Sequence, residues 1–127
     1  MDRLYLVVPC YNEEEVLPET VRRLTDKLRR MEEKGLVSGD SRILLVDDGS
    51  RDRTWELICG FHQENPTVSG LKLSRNRGHQ NALVAGLMTA RELCDITISL
   101  DADLQDDIEV LDQFVEEYHK GAQIVYG

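Results

Sequence analysis

Asp101-Ala102-Asp103-Leu104-Gln105 follows directly on an apolar run, Ile96, Ile98 and Leu100. Two carboxylates one residue apart at the end of a buried strand need a counter-charge, because an unpaired charge in low dielectric costs more than folding can supply. A divalent cation carrying a phosphate ligand meets that need. The donors offered by Asp101, Asp103 and Gln105 are all oxygens. Such a set favours Mg²⁺ or Mn²⁺ over zinc, and these ions commonly take their remaining ligands from water and substrate phosphates. An Asp-x-Asp spacing occurs by chance in a chain this rich in Asp, so its meaning depends on what other strand ends bring to the same place.

Three other strand ends carry polar groups. Leu4 to Val8 reads as a strand stopping at Pro9, followed by Cys10-Tyr11-Asn12-Glu13. Proline there ends donation to the ladder and turns the chain outward. Tyr11 offers a flat face, and Asn12 and Glu13 polar groups, to a planar ligand such as a nucleobase. Glu14 and Glu15 read as a solvated acidic helix start that favours the macrodipole. Ile43 to Val46 ends in Asp47-Asp48-Gly49-Ser50. One carboxylate can accept from a base imide or amine, and the other can hold a sugar hydroxyl or the water shell of a metal. Gly49 permits a positive φ or a close backbone approach. Alone, this segment also fits an Asp-rich turn capping the next helix. Val68 to Leu73 ends in Ser74-Arg75-Asn76-Arg77-Gly78, where arginine, glycine and a helix N-terminus suit a diphosphate. His79 reads as a helix-start residue. The composite is an adenine- or pyrimidine-type base pocket, a ribose site and a metal-bound diphosphate. The P-loop and G-x-G-x-x-G patterns are both missing.

The elements that must position these residues alternate along the chain. Helical apolar spacing predicts helices over 14–31, 54–64, 81–93 and 109–120, with Asp52 as N-cap of the second. The third is rich in small residues (Ala82, Ala85, Gly86, Ala90) and suited to close packing on a sheet. Strands are predicted over 4–8, 43–46, 68–73 and 96–100, with a fifth beginning at Ile124-Val125-Tyr126. Strand–helix alternation implies an α/β domain with a mainly parallel sheet. Right-handed crossovers bring the carboxyl ends of its strands to one rim, where ligands of open α/β sheets bind.

At 127 residues the chain is one domain by length, with 41% hydrophobic and 31% charged residues. A net charge of −9 argues against nucleic acid as a partner, since such binding relies on Lys and Arg neutralising phosphates. Any anionic ligand must therefore be met locally. Three cysteines without a C-x-x-C pair point to a reduced, cytoplasmic setting. No apolar run is long enough to span a bilayer. The chain stops at Gly127 just as a strand begins, which reads as the N-terminal part of a longer catalytic domain. An unpaired sheet edge there would favour a homo-oligomer.

In order, P-x-Y-N-E (Pro9 to Glu13), V-D-D-G-S (Val46 to Ser50), S-R-N-x-G (Ser74 to Gly78) and L-D-A-D-L-Q (Leu100 to Gln105) resemble family 2 glycosyltransferases of the GT-A fold. Among these they are most similar to dolichol-phosphate mannose synthase-like and bactoprenol glucosyltransferase-like enzymes. The resemblance implies a Rossmann-like GT-A domain that transfers a hexose, with inversion, from a UDP- or GDP-sugar. The implied acceptor is a polyprenyl phosphate, with a polysaccharide or other hydroxyl as the alternative. It implies that Pro9, Tyr11 and Asp47 hold the base, that Asp48, Arg75 and Ala102 lie along ribose and diphosphate, and that Asp101, Asp103 and Gln105 hold Mn²⁺ or Mg²⁺. Acceptor-side and catalytic residues, and any membrane contact, are expected beyond Gly127. A receiver-type signalling domain is the rival from another class, but its Asp pair would follow the first strand and a late strand would carry Lys. A sugar nucleotidyltransferase would want a basic glycine-rich loop after strand one, where this chain has Asn12-Glu13-Glu14-Glu15.

Overall fold

The computed structural model describes residues 2–73, 79–91, 95–102 and 111–119. In chain order these form β1 (Leu4–Cys10), α1 (Leu17–Glu33), β2 (Arg42–Asp47), α2 (Thr54–Glu64), β3 (Val68–Lys72), α3 (His79–Arg91), β4 (Ile96–Ser99) and α4 (Leu111–His119). The four strands make one sheet of order β3-β2-β1-β4, and every neighbouring pair is parallel. The expected fifth strand, 124–126, lies outside the described residues.

Burial on both faces explains why β1 reads as a continuous apolar run. Leu4, Leu6 and Val8 point into one core with Ile43, Leu45, Ile96 and Ile98. Leu17, Val21, Leu24, Leu28 and Met31 of α1, Ile58 of α2, and Leu111 and Val115 of α4 cover that face. Tyr5, Val7, Leu44 and Val46 point to the other face, where Ala82, Leu83 and Ala90 of α3 cover them. Helices on opposite faces follow from right-handed crossovers: the chain steps from β1 to β2 to β3 in one direction, then returns past β1 to β4. The order therefore reverses between β1 and β4, and the crevice at their carboxyl ends is the topological switch point.

Several boundaries differ from expectation by one to three residues, and two of the shifts have long-range causes. β1 continues through Pro9 to Cys10, with Pro9 opposite Val46 and Cys10 opposite Asp47. Pairing with β4 ends at Val7–Ser99, and the Leu100 N–H donates to the Val7 carbonyl. Proline's missing N–H thus falls beyond the last β1–β4 pair. α1 begins at Leu17 rather than Glu14 because the preceding backbone is tied elsewhere. The Glu14 N–H donates to Asp52 Oδ2 at 3.2 Å, and the Glu13 carbonyl takes the N–H groups of Val16 and Leu17. Pro18 then occupies the first turn, where no intrahelical N–H is needed. The helix closes on Gly35 at φ +76°, with the Leu36 N–H returning to the Met31 carbonyl.

The close approach expected of the small-residue helix centres on Gly86. A Cβ there would stand 2.6 Å from Val7 Cγ1 and 2.8 Å from Val46 Cγ2. Gly86→Val should therefore destabilise the fold by about 2–3 kcal/mol through overpacking, read as a lower urea midpoint. An unchanged midpoint would show that α3 can lift off the sheet without penalty.

Candidate nucleotide site at the sheet rim

The strand ends are locked to one another. The Asp48 N–H donates to the Cys10 carbonyl (2.9 Å) and the Leu73 N–H to the Asp47 carbonyl (2.9 Å). Register thus carries Pro9, Cys10, Asp47 and Asp48 to one place. Asp47 is fully buried and Asp48 is 3% exposed. Asp47 Oδ1 accepts the Ser50 N–H at 3.2 Å, a turn that Gly49 permits at φ +73°. Asp47 Oδ2 is also buried, and among the described residues it has no hydrogen-bond partner. A buried carboxylate oxygen left unpaired costs about 1–3 kcal/mol or more. It is the kind of local frustration expected where a ligand supplies the missing donor.

Negative charge is concentrated around it. Burial first, then the charges of Glu13 and Asp47, push the Cys10 thiol up and keep it protonated. Its Sγ–H donates to the Val8 carbonyl at 3.3 Å. Tyr11 is 37% exposed at the end of β1, available as a flat apolar face.

Asn12, Glu13 and Ser50 join the first loop to the second. Asn12 adopts φ +53°, a conformation Asn tolerates better than most residues. Its N–H donates to Ser50 Oγ at 2.9 Å, and its Oδ1 accepts the Arg51 N–H at 2.8 Å. The Glu13 N–H donates to Thr54 Oγ1 at 2.9 Å. The Asp52 carboxylate takes the Thr54 N–H, the Thr54 hydroxyl and the Glu14 N–H. Partial desolvation pushes the Asp52 carboxyl up, but these bonds outweigh it and hold it below the usual carboxylate range. Asp52 thus caps α2 from one residue before the N-cap position, Arg53, and braces the neighbouring loop as well. Thr54 was not singled out in the sequence. The Asp52-x-Thr54 spacing at a helix start was the available signal.

At the end of β4, Asp101 is exposed and Ala102 is buried. The Ala102 carbonyl accepts a hydrogen bond from Thr20 Oγ1 of α1 at 2.5 Å. Asp103 and Gln105 lie outside the described residues, as do Arg75, Asn76 and Gly78 of the third strand end. Among the described residues no three Asp, Glu, His or Cys side chains cluster as a metal site. The donor chemistry of Asp101, Asp103 and Gln105 fits a hard divalent cation, with Asp101 on the switch-point rim. His79 begins α3, as its reading as a helix-start residue required.

Parallel topology, a switch point between β1 and β4, and acidic strand ends define a Rossmann-like unit of the GT-A type. The family model described as Glycosyl transferase family 2 matches residues 5–127, and the chain belongs to that family; it is neither a receiver domain nor a sugar nucleotidyltransferase. It is similar to the uncharacterized glycosyltransferase YkoT of Bacillus subtilis (strain 168), 54% identical over 124 residues, which are 98% of this chain and 37% of that protein. It is also similar to the prophage bactoprenol glucosyl transferase homolog of Escherichia coli (strain K12), 38% identical over 126 residues, 97% of this chain and 38% of that protein. Among solved structures it resembles the mannosyltransferase PcManGT from Pyrobaculum calidifontis, in complex with GDP-Man and Mn²⁺. The TM-score is 0.72 at 22% identity, over 91% of this chain and 32% of that one. That likeness concerns the fold. The chain spans little more than a third of the curated relatives' length. Among the described residues no helix is long and apolar enough to cross a membrane.

Proposed function

We propose that residues 1–127 form the donor-binding part of an inverting, metal-dependent hexosyltransferase that takes a UDP- or GDP-sugar and passes the hexose to a polyprenyl phosphate. The observation that carries this reading is the buried Asp47 Oδ2 at the rim, which has no hydrogen-bond partner among the described residues. A base imide or amine N–H entering beside Tyr11 would satisfy it. Tyr11 and Pro9 would bound the base, and Asp48 would face the ribose. Arg75, Asn76, Gly78 and the Ala102 backbone would line the diphosphate. Asp101, Asp103 and Gln105 would hold Mn²⁺ or Mg²⁺. When bound, that ion supplies charge neutralisation of the leaving diphosphate. Asn12, Glu13 and Ser50 act one step removed, by bracing the loop that carries Tyr11. A phosphate acceptor is already anionic, so its oxygen can attack the anomeric carbon without a protein base, whereas a hydroxyl acceptor would need a carboxylate. The similarity to a bactoprenol glucosyl transferase homolog supports the lipid acceptor. A nucleotide-sugar donor and a lipid acceptor together would suit a position in the cytoplasm or at the cytoplasmic face of a membrane.

Thermal-shift screening against UDP, GDP and their hexoses, with and without Mn²⁺, tests the reading. The expected result is a nucleotide-selective, Mn²⁺-dependent rise in melting temperature that is lost in Asp103→Ala. Sugar transfer by residues 1–127 alone should be absent or slow. No shift at millimolar nucleotide would overturn the donor-site reading, and rapid transfer would overturn the division of labour.

A further inference from the structure

The apolar stripe of α1 contains two polar residues, Thr20 and Lys27, 3% and 2% exposed. They are seven residues apart, two helical turns, and so lie on the same face. Each holds a different flank of the segment that runs from β4 to α4. Thr20 Oγ1 donates to the Ala102 carbonyl at 2.5 Å. Lys27 Nζ stands 2.7 Å from Asp112 Oδ1, in the first turn of α4. Lys34 adds a second contact to Asp112, 2.9 Å from Oδ2, from the exposed side.

We propose that Thr20 and Lys27 are positioning residues for the cation site, an inference that rests on the donor-site reading above. The carbonyl held by Thr20 belongs to the peptide bond leaving Ala102, directly between the two carboxylate residues of Asp101-Ala102-Asp103. Fixing that peptide plane fixes the direction in which the chain leaves Ala102. The Lys27–Asp112 pair fixes the other flank against the same helix. α1 thereby holds Ala102 and Asp112, the two described flanks of the segment that bears Asp103 and Gln105. Neither polar residue is needed for the helix itself. Valine and methionine would fill those positions with similar volume, whereas the hydroxyl meets the Ala102 carbonyl and the ammonium meets Asp112 across the interface. Outer partners of this kind orient ligands, and their loss weakens metal affinity by about 10–100-fold.

The test uses the whole chain and two readouts. Mn²⁺ binding in the presence of UDP or GDP is followed by loss of the free-ion electron paramagnetic resonance signal. Binding of the same nucleotides without metal is followed by calorimetry. Thr20→Val should weaken Mn²⁺ binding by about tenfold or more, leave metal-free nucleotide binding within about twofold, and be rescued by Thr20→Ser. The double variant Lys27→Met/Asp112→Leu keeps the interface filled and should lower Mn²⁺ affinity in the same selective way. It serves as an independent arm if Thr20→Val fails to fold. Wild-type Mn²⁺ affinity in a folded variant of either kind overturns the positioning role and leaves the donor site standing. Equal loss of both affinities overturns it in favour of a purely structural role. A wild-type chain that binds nucleotide but no Mn²⁺, or binds neither, overturns the donor-site reading and this inference with it.

Discussion

Asp47→Asn should weaken binding of the matching nucleoside diphosphate by about 10–100-fold, the equivalent of losing one charge-assisted hydrogen bond of about 1.5–3 kcal/mol. It should do so without loss of stability. The Asn side chain keeps an oxygen for the Ser50 N–H, so the turn through Gly49 survives. Its amide replaces the buried oxygen that has no partner, and it removes one negative charge from the neighbourhood of Glu13 and the Cys10 thiol. Loss of the buried charge relieves the unliganded protein, while the NH2 only exchanges an unpartnered acceptor for an unpartnered donor, so its urea midpoint should stay level or rise slightly. Opposite movement of binding and stability is expected of a residue kept for a ligand at the fold's expense. Calorimetric titration with UDP and GDP, paired with urea unfolding, reads both. A variant that unfolds more easily yet binds normally would mean that Asp47 serves the fold and not the ligand.

The second large effect concerns Asp112. Asp112→Ala takes away the carboxylate that stands 2.7 Å from the buried Lys27 ammonium. Removing one partner of a fully buried pair costs about 3–5 kcal/mol, and the lower end, about 3 kcal/mol, is expected here, because the Asp112 side chain is 16% exposed. Lys34, 60% exposed, contributes little of this. The sign of the pH effect follows. Partial desolvation pushes the Asp112 carboxyl up, but Lys27 and Lys34 together outweigh it and hold it below its ordinary range. A carboxyl lowered in the folded state contributes stability that is complete above its unfolded value, about 3.9. That contribution is lost as pH falls through the lower folded value. The gap between wild type and Asp112→Ala should therefore be full at pH 7 and shrink below about pH 4. Lys27→Met/Asp112→Leu should stay close to wild type at pH 7, since apolar replacement of a whole pair is often neutral. A gap independent of pH would assign the loss to packing alone.

The legible part of this protein lay in its periodicities. Both-face burial makes strands such as Ile43–Val46 uninterrupted apolar runs, and the stripe Leu17, Val21, Leu24, Leu28, Met31 marks a helix on a sheet. α2 occupies Thr54–Glu64 as the pattern required. Where expectation and structure part, long-range bonds overrode local preference. Glu14 is drawn out of α1 by Asp52, 38 residues away, and β1 passes through Pro9 because its partner on that side has already ended. Thr20 and Lys27 carried a readable signal, since polar residues in register with an apolar stripe must find partners when buried. The identity of those partners was not in the stripe.

The chain's order of motifs by itself determined an α/β unit with acidic carboxyl-end loops, whose oxygen donors are of the kind a hard cation would take. These are properties of residue type and spacing, which local physics constrains. Only the tertiary structure decided which strand ends adjoin, that Asn12 and Ser50 bind one another's loops, that Asp47 keeps an unsatisfied oxygen, and that α1 holds both Ala102 and Asp112. Each of those facts is a contact between residues far apart in the chain, or the burial that such contacts create. Burial and long-range pairing arise only when the whole sheet and its helices close together.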